Sequence, residues 1–145
     1  MITDGQNTYS ASQALSGAGS AASTNSIDHS SDRDVGIGEP MCVSFIVNVA
    51  AGGTAPTLVA SLQVDSTSAF GSAVNVVSTG TIAGASLVPG YRFFLVVPSD
   101  LSFNQHSRIN YTLGGTSPTV TLSATLVPRQ FAQGDVYGPS GFSVQ

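Results

Sequence analysis

The stretch Met41-Cys42-Val43-Ser44-Phe45-Ile46-Val47-Asn48-Val49 has a period of two. Val43, Phe45, Val47 and Val49 share one face, and Cys42, Ser44, Ile46 and Asn48 share the other. Successive side chains of an extended chain point to opposite faces, so the alternation predicts a half-buried β-strand. The pattern recurs downstream, with Leu58, Ala60, Leu62 and Val64 set against Val59, Ser61, Gln63 and Asp65. It returns at Val74–Val76, Tyr91–Val97, Arg108–Leu113 and Thr119–Leu126. Between these segments lie Gly52-Gly53, Phe70-Gly71-Ser72, Pro89-Gly90, Pro98-Ser99-Asp100 and Gly114-Gly115, each of which supplies turn chemistry. Short alternating strands separated by such turns, with no competing helical pattern, predict an all-β fold. The expected architecture is an antiparallel jelly roll or β-sandwich over residues 36–129. No internal repeat is read.

The flanks read differently. Residues 1–35 are rich in Ser, Ala, Gly and Thr, with Ile2, Tyr9, Leu15 and Ile27 as the sizeable apolar anchors. Such a stretch buries too little surface to offset its ordering entropy alone. It is expected to be an extended N-terminal arm, ordered only against something else. Ser10 and Gln13 stand at capping-box spacing and allow a short helix over Ser10–Leu15, which Gly17 and Gly19 would end. Residues 130–145, with Phe131, Val136, Tyr137 and Phe142, read as a C-terminal arm.

The 145 residues suit one domain, whose core needs neither disulfide nor metal. Charged residues make up only 8% of the chain, against about 25% in an ordinary soluble domain. The bases are Arg33, Arg92, Arg108 and Arg129, there is no Lys, and the net charge is -4. Four scattered bases cannot track a phosphate backbone, so no nucleic-acid partner is expected. The longest apolar run, Phe93–Val97, is far too short for a membrane span and ends at Pro98. Met1-Ile2-Thr3-Asp4-Gly5 has neither the basic nor the apolar region of a signal peptide, so synthesis in the cytoplasm is the expectation. Cys42 is the single cysteine, which excludes an internal disulfide and a cysteine zinc site and reads as a free, inert thiol.

No residue set for catalysis emerges. His29 and His106 both fall in polar stretches that read as solvated loops, and a catalytic base needs an oriented partner. Gly138-Pro139-Ser140-Gly141 lacks the strand and helix of a nucleophile elbow. Gly17-Ala18-Gly19-Ser20-Ala21-Ala22 matches the loose dinucleotide fingerprint but lacks its flanking strand and helix. Asp28, Asp32 and Asp34 could supply oxygens to calcium, yet they lack the spacing and closing Glu of a calcium loop and read as a polar hinge. Asn110-Tyr111-Thr112 is a glycosylation sequon in letters only, inside an expected strand. No catalytic, cofactor or metal residue is expected, and the protein reads as not an enzyme.

The informative feature is what the surface lacks. Solitary β-proteins guard exposed strand edges with Lys, other charges and Pro. The expected strands here carry only Asp65, Arg92 and Arg108. Short Ser, Thr, Ala and Gly side chains lose little rotamer freedom when covered, and interfaces are depleted in Lys and Glu. These properties point to a subunit that works inside an assembly.

Several stretches resemble one family. They are Ser23-Thr24-Asn25-Ser26-Ile27-Asp28, then Asp32 to Pro40, then Leu62-Gln63-Val64-Asp65 with Ala69-Phe70-Gly71-Ser72. Leu87-Val88-Pro89-Gly90-Tyr91-Arg92 and Arg108-Ile109-Asn110-Tyr111-Thr112 continue the series in order. Over about residues 2–127 the chain resembles the small capsid cement, or decoration, proteins of certain tailed bacteriophages, of the jelly-roll type found in a Bordetella podophage. The resemblance implies a jelly roll on the outside of an icosahedral head, bridging major capsid subunits as a dimer or trimer and stabilising the shell. It brings no catalytic site. It implies capsid or oligomer contacts at Asp28, Arg33, Asp34, Gly36, Gly38 and Glu39. Equally, Gly36 and Gly38 can serve a turn, and Pro40 can set the entry to the first long strand. Two other classes stay open. One is a carbohydrate-binding sandwich on the virion surface, which would need exposed aromatic platforms in a chain without Trp. The other is a small esterase-like enzyme dependent on His29 or His106.

Overall fold

The computed structural model describes residues 5–30, 33–34, 38–98 and 102–132. The strands are β1 (Thr8–Ser16), β2 (Gly19–Ala22), β3 (Ile27–Asp28), β4 (Arg33–Asp34), β5 (Met41–Asp65), β6 (Val74–Ser78), β7 (Ile82–Ala83), β8 (Arg92–Val96), β9 (Ser102–Phe103) and β10 (His106–Pro128). One helical turn, α1 (Arg129–Ala132), follows β10.

A single antiparallel ribbon organises the molecule. β5 and β10 pair from Met41↔Pro128 to Asp65↔His106. On one half of the ribbon β8 joins β5, from Cys42↔Val96 to Ile46↔Arg92, and β1 joins β10, from Thr8↔Thr125 to Ser16↔Thr119. On the other half β6 and β7 join β5, while β2 and β3 join β10. Each half is thus the centre of its own leaf, and the ribbon bends between them so that the leaves face each other. The ring of Phe45 in the first leaf meets Tyr111 of the second edge-on at 6.5 Å, and Phe93 stacks on Phe45 at 4.6 Å. Val43, Phe45, Val47, Leu122 and Leu126 from one leaf share a core with Leu58, Leu62, Ile109 and Leu113 from the other. The expected all-β antiparallel sandwich of jelly-roll type is the observed fold. The two-stranded ladder of β4 and β9 stands apart from the main sheet.

Two expected turns are bends instead. Gly52-Gly53 and Gly114-Gly115 do not end strands; they lie where the ribbon folds over, Gly52 paired with Thr119 and Gly114 with Thr57, and the pairing register slips there. The reason is an internal repeat. Gly52-Gly53-Thr54-Ala55-Pro56-Thr57 and Gly114-Gly115-Thr116-Ser117-Pro118-Thr119 share the pattern G-G-T-x-P-T. Both copies adopt one backbone: Gly53 and Gly115 have φ of +99° and +102°, and Ala55 and Ser117 have +49° and +50°. Two bulged corners in register turn both strands together, which is how a paired ribbon changes leaf without losing its partner.

The N-terminal segment also departs from expectation. Rather than a loose arm, Thr8–Ser16 and Gly19–Ala22 run one after the other in the same direction, antiparallel along β10, and between them Gly17 N–H donates to the Pro118 carbonyl at 2.9 Å. Ser10–Leu15 is strand, not helix, because β10 offers a full row of backbone partners. The anchors Tyr9, Leu15 and Ile27 are all buried in the core. A bulge between Thr8 and Ser10 lets two consecutive residues, Tyr9 and Ser10, both face inward. Of the expected C-terminal arm, the part from Gln133 onward lies outside the described residues, as do Met1–Asp4 of the expected N-terminal arm.

Candidate functional site

The bent ribbon leaves one end of the sandwich closed by the Gly-Gly corners. At the other end both leaves begin, at Met41↔Pro128 and Asp65↔His106. Two crossovers span this open end. One runs from β3 in the second leaf to β5 in the first, the other from β8 in the first leaf to β10 in the second. They meet as the ladder Arg33↔Phe103 and Asp34↔Ser102. The sequence-derived contact residues all belong to the first crossover. Asp28 opens it, paired with His106. Arg33 and Asp34 form β4. Gly38 has φ of +88°, as a turn requires, and Glu39 accepts a hydrogen bond from Gln130 Nε2 at 2.6 Å. Gly38, Glu39, Pro40, Arg129 and Gln130 line an open cleft of about 510 Å³. Gly36 lies outside the described residues. The residues therefore share one end of the molecule without converging on one point.

Asp28 is exposed and its carboxylate accepts Ser30 N–H at 2.7 Å and Gln105 Nε2 at 3.3 Å. The Ser30 amide, then Gln105, His106 and His29, hold its pKa below the ordinary carboxylate value. This carboxylate caps a turn. Among the described residues no group of three His, Cys, Asp or Glu is placed to hold a metal ion.

Both histidines sit in hydrogen-bonded structure rather than in solvated loops. His106 is the first residue of β10, between Asp28 and Asp65 on the neighbouring strands, with Phe70 edge-on at 6.5 Å. His29 donates its backbone N–H to the Gln105 carbonyl, and its Nε2 lies 2.8 Å from Ser107 Oγ. Ser107 Oγ is also 2.8 Å from Tyr9 Oη. A Ser–His pair of this kind can suggest a nucleophile and its base. Here the serine is 0% exposed, and its oxygen is the middle of a chain linking β1, β10 and the crossover. A parallel chain runs beside it. Ser10 Oγ donates to Gln13 Oε1 at 2.7 Å, which leaves Tyr111 Oη, at 2.8 Å, as donor to Ser10. Burial pushes both tyrosine hydroxyls above the usual phenol pKa.

Sequence reading did not connect Tyr9 to Ser107 or Ser10 to Tyr111, because 98 and 101 residues separate them. It also missed Arg108, whose guanidinium lies over Phe70 with its carbon 4.3 Å from the ring centroid.

The outer faces of the leaves are sparsely charged. Ser44, Ile46, Asn48, Thr121 and Ser123 lie on the first, with Phe94 exposed on β8, and Asn110, Thr112 and Ser20 lie on the second. No curated protein matches the chain. The family model of Bbp16 matches residues 9–126. These bounds coincide with Tyr9 and Leu126, the first and last members of the core, so the match spans the whole packed sandwich and stops short of α1. The chain belongs to the Bbp16 family, a Bordetella phage protein family.

Proposed function

We propose that this phage protein is a capsid cement protein, bound to the outside of an icosahedral head, where it bridges major capsid subunits and stabilises the shell. The family match over the entire core carries this reading. It is supported by a surface with no Lys and few charges, on which short hydroxyl and amide side chains can be covered at small entropic cost. Since residues 8–28 are part of the sheet, contact with the shell falls to the leaf faces and the crossovers of the open end rather than to a loose N-terminal arm.

Cementing is multivalent binding. A protomer, or a dimer or trimer of it, that touches more than one subunit gains from effective concentration. Because it binds the assembled lattice and not free subunits, the lattice is stabilised by linkage. The test is thermal opening of purified heads with and without the protein. The expected result is a higher opening temperature when it is bound, saturating with occupancy. An unchanged temperature at full occupancy overturns the reading.

A further inference from the structure

The loop of residues 66–73 between β5 and β6 is built as a platform. Asp65, the last residue of β5, is buried, and its carboxylate accepts Thr67 N–H at 2.9 Å, the Thr67 hydroxyl at 3.2 Å and Ser72 N–H at 2.8 Å. Inside this closed loop Phe70 N–H donates to the Thr67 carbonyl at 3.2 Å, and Phe70 stands at φ +52°. A bulky residue is held at positive φ only where its surroundings fix it. The outcome is a Phe70 ring lying against the Arg108 guanidinium, 4.3 Å from its carbon.

The same guanidinium is fixed from a second side. Arg108 Nε donates to Gln63 Oε1 at 2.9 Å, and Gln63 Nε2 donates to Asn75 Oδ1 at 3.0 Å. One row across β10, β5 and β6 thus orients a half-exposed arginine on the outer face of the second leaf. Among the described residues no carboxylate pairs with it. The nearby carboxylates are engaged elsewhere, Asp65 by its loop and Asp28 by Ser30 and Gln105. Among the described residues Arg108 makes the Gln63 bond and the Phe70 contact and no ion pair. Neighbours on this face, Asn110 and Thr112, are neutral.

A guanidinium locked in this way has already lost the rotamer freedom that binding would otherwise cost, and its terminal amino groups match the two oxygens of a carboxylate. A polyanion such as nucleic acid is disfavoured by the net charge of -4. We infer that Arg108, seated on Phe70 and held by Gln63, is a carboxylate-binding site that takes an Asp or Glu side chain of the protein's partner. Resting on the proposal above, that partner is the major capsid subunit, and Arg108 is an anchor of the contact.

The test uses shells assembled without the protein and titrated with wild type, Arg108→Ala, Arg108→Lys and Arg92→Ala, each checked for cooperative unfolding. Wild type and Arg92→Ala are expected to bind alike. Arg108→Ala is expected to bind about tenfold more weakly or worse, as loss of a paired charge gives. Arg108→Lys keeps the charge but loses the fork and the stacking, and is expected to fall between them. It carries the test if the alanine variant fails to fold. Wild-type protein that leaves shells bare overturns the cement reading and this partner with it. Wild type that binds while Arg108→Lys binds equally well, or while Arg92→Ala weakens as much as Arg108→Ala, overturns the carboxylate site alone.

Discussion

Gly53 lies against Ser117 across the bend of the ribbon, just as Gly115 lies against Ala55, each glycine pressed onto the other strand's backbone. A Cβ at Gly53 would lie 2.5 Å from the Ser117 carbonyl oxygen, and one at Gly115 would lie 2.6 Å from that of Ala55. Both also stand at φ near +100°, where side chains are rarely tolerated. Gly53→Ala and Gly115→Ala should therefore each destabilise the fold by more than ~2 kcal/mol, from strain and clash together. Gly71→Ala, with open space around its Cβ, should stay within about 0.5 kcal/mol. Urea unfolding of the three variants decides it, and equal stability of all three would contradict the corner geometry.

Ser107 holds two partners in the dry interior. Replacing it by alanine leaves Tyr9 Oη and His29 Nε2 without that oxygen. The expected cost is about 1–3 kcal/mol, the usual penalty for stranding a buried polar group. Tyr9→Phe combined with Ser107→Ala should cost less than the two single changes added, because the shared bond is lost only once. Chemical denaturation as a double-mutant cycle measures this, and strict additivity would show the pair to be uncoupled.

The protein should be most stable in a broad middle range of pH. Asp28 and Asp65 have lowered pKa values, chiefly through the amides of Ser30 and Thr67. A depressed folded-state pKa gives stability that is present above the unfolded carboxylate value of about 4 and fades as pH falls through the folded one. Tyr9 and Tyr111 have raised values through burial. Their contribution is whole below the unfolded phenol value of about 10 and fades as pH climbs beyond it. Unfolding midpoints followed from pH 2 to 12 should fall at both ends. Asp65→Asn should flatten the acid limb while lowering stability at neutral pH.

Cys42 should be unreactive until the sandwich opens. It is buried against Val127, with its thiol donating to the Val127 carbonyl at 3.5 Å, and burial pushes its pKa up to about 11. The thiolate is the reactive form, so labelling of native protein at pH 8 by a disulfide reagent should track unfolding. Rapid modification of the folded state would contradict this placement.

Period-two patterning made the strands legible, and Val43, Phe45, Leu62, Ile109 and Leu122 all bury as that pattern requires. Their connection was less so. Gly-Gly reads locally as a hairpin turn, and only the second copy of G-G-T-x-P-T, 62 positions on (114 − 52), indicates that two corners fold as a pair. The N-terminal segment misled for another reason. Strand pairing uses backbone groups that Ser, Ala and Gly supply as well as Val does, so weak side chains did not keep β1 from the sheet. At the open end, the sequence brought forward Asp28 and Glu39 but not Arg108, whose platform at Phe70 depends on a left-handed residue and a capped loop that no short pattern announces.

Tyr9 must find Ser107, 98 residues on, and Ser10 must find Tyr111, 101 residues on. During synthesis the first strand therefore emerges long before its partner has been made, and the ribbon itself closes only once β10 has left the ribosome. Pairing at such sequence separation carries a loop-closure cost and is slow. The sandwich accordingly forms only once β10 is available, and a chain truncated ahead of β10 has neither leaf.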